Sequence, residues 1–211
     1  MGQIRNLEDF HKQCDWCIQK EPKLKPVIDR YGHPPLWCRE PNFSTLILTI
    51  LEQQVSLAAA KAAFDKLAAK IKKVTPVNLL KLTDEELRAC YFSRQKIEYA
   101  RILASEILDG RLNLDELNQQ DEKQIRSRLI QIKGIGHWTI DMYLLMSLLF
   151  SDIFPPGDLA TIKSVLELEL VPPESSNEDI KNYMKRFSPY RSVATYILWH
   201  SYIERRNLVL E

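Results

Sequence analysis

The sequence predicts an all-α fold, a two-lobed helical bundle. Apolar residues recur at spacings of three and four along most of the chain, and the strict alternation expected of half-buried strands is almost absent. There are only six glycines in 211 residues, few for a protein built on tight hairpin turns. Phe43, Leu46, Ile47, Ile50, Leu51 and Gln54 fall at helical spacing behind Asn42 or Ser44 as cap. The pattern predicts that this helix continues through Ala58–Ala63 toward Ile71. Thr83-Asp84-Glu85-Glu86 reads as a capping box opening a short helix that carries Leu87. A further helix is expected from Arg94 to Leu108, stopped by Gly110 as a left-handed cap. Another spans Asp121–Gln131, one starts at Ser176 and leads to Phe187, and the last runs from Pro189 to Arg205. In all, about ten helices are expected.

Proline divides this array. Pro34-Pro35 sets off residues 1–34 as an N-terminal helical segment that packs on the second lobe, with residues 35–211 forming the core. Phe154-Pro155-Pro156-Gly157 is a turn, and Asp158 follows it directly. Behind Asp158, the residues Leu159, Ile162, Val165 and Leu166 resume helical spacing, so Asp158 falls at an N-cap or in the first turn.

Composition excludes several classes. Hydrophobic residues make up 45% and charged residues 27%, as in an ordinary soluble domain. The longest apolar stretch, Met142 to Phe150, is broken by Ser147 and falls far short of the roughly 20 residues a membrane helix needs. Met1 to Phe10 carries Arg5, Glu8 and Asp9 without an apolar core, so no secretory signal is read there, and a cytoplasmic or nuclear location is expected. The four cysteines (Cys14, Cys17, Cys38 and Cys90) are then expected as reduced thiols. Cys14-x-x-Cys17, flanked by His11 and His33, is half of a zinc pattern without a second cysteine pair, and no metal site is expected. A net charge of +1 neither demands nor excludes nucleic acid, since only a basic face is required.

The most informative segment is Lys133-Gly134-Ile135-Gly136-His137-Trp138-Thr139. One helix ends in a turn bounded by two glycines and an apolar helix starts at once. Glycine permits positive φ and close backbone approach, and the first amides of a helix point outward toward an anion such as phosphate. Alone, a Gly-x-Gly is more often a plain helix–turn–helix corner. Asp158, 22 residues beyond Gly136, adds a carboxylate after a Pro-rich turn.

Four segments together resemble the helix-hairpin-helix (HhH-GPD) DNA glycosylase superfamily, in its branch for alkylated bases of the 3-methyladenine DNA glycosylase II type. They are Leu51-Glu52-Gln53-Gln54-Val55-Ser56, Lys133 to Thr139, Phe154-Pro155-Pro156-Gly157-Asp158-Leu159, and Ser188-Pro189-Tyr190-Arg191-Ser192-Val193-Ala194 followed by Trp199. They occur in the family's order, and the resemblance covers roughly residues 35–203. The resemblance implies Asp158 as catalytic carboxylate. It implies Gly134, Gly136 and Thr139 as the hairpin that holds the DNA backbone, with room for a monovalent cation between Lys133 and Gly136 and no other cofactor. Gln54 would fill the gap left by an extruded base, and Trp138 and Trp199 would line the base pocket. Trp138 stands where bifunctional relatives place a lysine; a tryptophan cannot form a Schiff base, so no lyase step is expected. No cysteine follows Cys90, so the four-cysteine iron–sulfur loop of some relatives has no counterpart here. Met142 and His200 depart from tyrosines of related enzymes.

The expected partner is double-stranded DNA containing damaged bases, bound by a monomer away from membranes. The expected reaction is hydrolysis of the N-glycosidic bond, in which a fixed carboxylate opposes positive charge on the sugar. Three other readings stand beside it: a glycosylase for other damaged or mismatched bases, a catalytically inactive DNA-binding protein of the same fold, and a helical scaffold for protein partners.

Overall fold

The computed structural model describes residues 2–208, and these are helical almost throughout. In chain order the α-helices are α1 (Leu7–Lys20), α2 (Lys25–Tyr31), α3 (Phe43–Glu52), α4 (Leu57–Ile71), α5 (Pro76–Leu80), α6 (Asp84–Ala89), α7 (Arg94–Leu108), α8 (Leu114–Leu117), α9 (Glu122–Leu129), α10 (His137–Met142), α11 (Leu159–Glu167), α12 (Asn177–Met184) and α13 (Arg191–Arg205). Among the described residues the only extended pairing is an isolated bridge between Gln3 and Phe150.

The helix starts follow their capping chemistry. Asn42, not Ser44, caps α3 by accepting from Thr45 N. Thr83 with Glu86, Asp121 with Gln124, and Ser176 with Asp179 each form a reciprocal capping box. Gly110, at φ +72°, follows the end of α7 in the left-handed region that glycine tolerates.

One expected element is corrected. The helix from Phe43 does not continue to Ile71. It ends at Glu52, and a new helix starts at Leu57 with Ser56 accepting from Ala59 N. Gln54 sits at φ +57°, which no α-helix accommodates. Gln53 and Gln54 are good helix formers, so the break is imposed by contacts distant in sequence.

The chain divides into two compact units, residues 1–38 with 144–211, and residues 39–143. The first is organised on α13, whose residues from Ser192 to Ser201 are all buried. Phe10 of α1 meets Tyr196 edge-on at 5.3 Å between ring centroids. Ser164 of α11 donates to the Leu198 carbonyl at 2.7 Å. The start of α13 is tied down by Arg191, which pairs with Asp152 at 2.7 Å, and by Ser192 Oγ, which accepts from Ile153 N at 2.8 Å. The second unit packs α3 against α4 and α7, and α5 against α7. Leu46, Ile47, Ile50, Leu79, Ala100, Leu103, Ala104, Leu129 and Ile140 form its core, and buried Ala60 and Ala63 let α4 approach closely.

Candidate functional site

The Pro155-Pro156-Gly157 turn delivers Asp158 to the N-cap of α11, half-buried. Asp158 Oδ2 accepts three hydrogen bonds: from Thr161 N at 2.8 Å, from Thr161 Oγ1 at 2.6 Å and from Trp199 Nε1 at 2.8 Å. The first two follow from the local capping geometry. The third comes from α13 and places the indole against the carboxylate. Trp199 is only 5% exposed and meets Tyr196 at 5.5 Å between ring centroids, so its ring orientation is fixed by packing. With Oδ2 engaged by all three donors, the carboxylate cannot rotate freely and Oδ1 is left for other partners. Thr161, fully buried, escaped the sequence reading; its position three residues after an N-cap aspartate was the available signal.

In the second unit, α3 ends in the turn Gln53–Ser56 and the hairpin Ile130–Gly136 leads into α10. Gln53 ties them together. Its Nε2 donates to the Gly134 carbonyl at 2.9 Å and to Thr139 Oγ1 at 2.9 Å. Gly134 is at φ +97°, and a Cβ there would lie 2.2 Å from Cγ of Tyr99 and 2.6 Å from its Cβ. Both the backbone conformation and the space therefore demand glycine. Gly136, by contrast, has extended backbone at φ −95° and open space where a Cβ would go, so no steric need for glycine exists there. Its exposed position at the N-cap of α10 leaves the following amides accessible. Thr139 is 1% exposed and its hydroxyl faces Gln53. Its side chain therefore helps hold the hairpin to the turn after α3. Lys133 is exposed and ion-paired with Glu98.

Gln54 is exposed, immediately beyond the anchored Gln53, and Val55 beside it is 46% exposed. Trp138 is half-buried on α10. Met142 and His200 are core residues at 5% and 3% exposure.

Among the described residues no three His, Cys, Asp or Glu side chains converge to hold a metal. Cys14 and Cys17 are both buried, and burial pushes both thiols up, Cys17 to about 12. His11 instead stacks on His33 at 4.4 Å between centroids. Among the described residues no helix is long and apolar enough to cross a membrane.

The model of a family described as "HhH-GPD superfamily base excision DNA repair protein" matches residues 47–189. The DNA-3-methyladenine glycosylase 1 of Schizosaccharomyces pombe is 29% identical, over 84% of this chain and 79% of its own. The DNA-3-methyladenine glycosylase of Saccharomyces cerevisiae is 27% identical, over 92% of this chain and 80% of its own. A solved structure of an S. pombe 3-methyladenine DNA glycosylase in complex with abasic DNA superimposes with a TM-score of 0.76 at 28% identity, covering 85% of this chain and 89% of that one. The 3-methyladenine DNA glycosylase of Archaeoglobus fulgidus superimposes with a TM-score of 0.77 at 25% identity, covering 98% and 72%.

Proposed function

The chain belongs to the HhH-GPD superfamily of base excision DNA repair proteins, and we propose that it is a monofunctional DNA glycosylase that hydrolyses the N-glycosidic bond of alkylated bases such as 3-methyladenine. The observation that carries this reading is Asp158: a half-buried carboxylate with one oxygen fixed by three donors and the other left open.

A base within a duplex cannot be attacked, so the nucleotide must be turned out of the stack at a cost of a few kcal/mol. The amides of the hairpin at Gly134 and Gly136 grip the phosphate backbone, which positions the DNA without reading its sequence. Gln54 enters the space that the extruded base vacates. Bond cleavage then builds positive charge on the sugar, and Asp158 opposes it through Oδ1, a preorganised interaction worth several kcal/mol in a water-poor site. An alkylated purine already carries positive charge and leaves as a neutral base, so no general acid is required. Trp199 supports this centre twice, as donor to Oδ2 and as aromatic wall of the base pocket. Trp138 has no amine for imine chemistry, so the product is an intact abasic site.

For the hairpin to take a monovalent cation between Lys133 and Gly136, only main-chain carbonyls are on offer there, and that of Gly134 is already engaged by Gln53. No step depends on such an ion. The protein acts as a monomer on double-stranded DNA that contains damaged bases.

The test is base release from duplex DNA treated with a methylating agent, with products separated by chromatography. Release of 3-methyladenine is expected, with no protein–DNA adduct trapped by borohydride. Failure to release any alkylated base refutes the assignment, and a trapped adduct refutes the monofunctional part of it.

A further inference from the structure

Gln54 is held at φ +57° while its side chain is exposed. A non-glycine residue in that region persists only where its surroundings fix the backbone. The three residues before it do so. The Leu51 carbonyl, orphaned at the end of α3, accepts from Lys96 Nζ at 2.6 Å. Glu52 takes a two-pronged pair from Arg39, at 2.9 and 2.6 Å, with the two side chains only 9% and 10% exposed. Gln53 spends its side-chain amide on the hairpin, on the Gly134 carbonyl and Thr139 Oγ1. Leu51 and Glu52 are thus secured by α7 and by the segment before α3. Gln53 alone of the three is secured by the hairpin, across 81 and 86 residues of sequence.

We propose that Gln53 is a positioning residue that locks the turn carrying Gln54 to the hairpin, so that gripping the DNA backbone and displacing the damaged base are one rigid act. This rests on the glycosylase reading above. Through its two N–H groups a phosphate held by the hairpin fixes the height at which Gln54 enters the duplex. Without them the hairpin still meets phosphate, but Gln54 no longer arrives in register with the gap. Binding to undamaged DNA, which needs only backbone contacts, is then nearly untouched. Binding to DNA with a vacated base position, which needs Gln54 in place, is weakened.

The experiment measures the affinity of the full chain for a duplex with a tetrahydrofuran abasic site and for the same duplex undamaged, and takes their ratio. Gln53→Leu should lower the ratio about tenfold while moving the undamaged affinity less than about threefold. Gln54→Ala should lower it as well, and the double variant should be no worse than the poorer single one, because Gln53 acts through Gln54. Thr139→Val, which removes one acceptor, should repeat the loss, and Thr139→Ser, which keeps it, should restore the ratio. The Thr139 pair carries the test if Gln53→Leu does not fold. A folded Gln53→Leu variant with the wild-type ratio, or single effects that multiply in the double variant, overturns the proposal. A wild-type protein that does not distinguish the two duplexes defeats the glycosylase reading itself, and the inference falls with it.

Discussion

Asp158 and Gln54 both stand at a helix end with part of their side chain open to partners, yet they are fixed by different means. Two of the three bonds on Asp158 come from Thr161, three residues away, as any N-cap aspartate can arrange. Gln54 has no local support; its conformation depends on Lys96, Arg39 and the hairpin, all remote in sequence from the turn except Arg39. The orientation of a carboxylate proposed to oppose a developing charge is set mostly by its own cap, with one donor, Trp199, added from afar. A side chain that must enter a duplex needs its whole turn fixed relative to what holds the DNA, and only long-range bonds can do that.

The largest effect on that second kind of support is expected from Gly134→Ala. It combines a disfavoured φ with overlap against the stem of the Tyr99 side chain. Together these cost about 3 kcal/mol, lowering the melting temperature by roughly 9 °C. Gly136→Ala, with open space and extended backbone, should change it by less than about 1 °C. Thermal melts of the two variants that agree with each other would break the distinction between the glycines. Trp199→Phe comes next and probes the Asp158 side. It removes one donor from Oδ2 while keeping an aromatic ring. A hydrogen bond to a charged group is worth about 1.5 kcal/mol or more, so single-turnover excision should slow by about tenfold. An unchanged rate would leave the local cap as the whole support of the carboxylate.

The smallest effect concerns Asp141 of α10. Burial raises its carboxyl to about 6, against the downward pull of Arg126 at 2.6 Å. Between its ordinary value of 3.8 and about 6, the folded state keeps a proton that the unfolded state has released. The stability from this group is therefore fully present below that window and is lost as pH rises through it. Asp141→Asn, neutral throughout, should show a flatter melting profile than wild type over the same window. Parallel profiles would contradict the raised value.

The same contrast decides what could be read in the sequence. Asp158 was legible because a Pro-Pro-Gly turn followed by helical spacing marks an N-cap without any tertiary contact. The capping box at Thr83 and the helix start at Ser176 were legible for the same reason, whereas the box at Asp121 was not read. The break between α3 and α4 was not: Gln53 and Gln54 suit a helix, and only Ser56, a good cap, hinted that a second one begins. Gln53, Lys96 and the indole bond to Asp158 join residues 41 to 86 apart, and spacing says nothing about such pairs. Periodicity does not tell which unit a buried face packs into. Thr139 was read only as part of the hairpin, and spacing does not show that its hydroxyl meets Gln53.

Asp158→Asn separates the catalytic role proposed for Asp158 from its role as a helix cap. Asparagine caps a helix about as well as aspartate, so the melting temperature should stay close to wild type. What is removed is the negative charge, worth several kcal/mol in the transition state, with each ~1.4 kcal/mol a factor of ten. Single-turnover release of 3-methyladenine should therefore fall by about a hundredfold or more, with binding to abasic DNA retained. A variant that melts normally and excises at near the wild-type rate would reduce Asp158 to a helix cap and contradict the account.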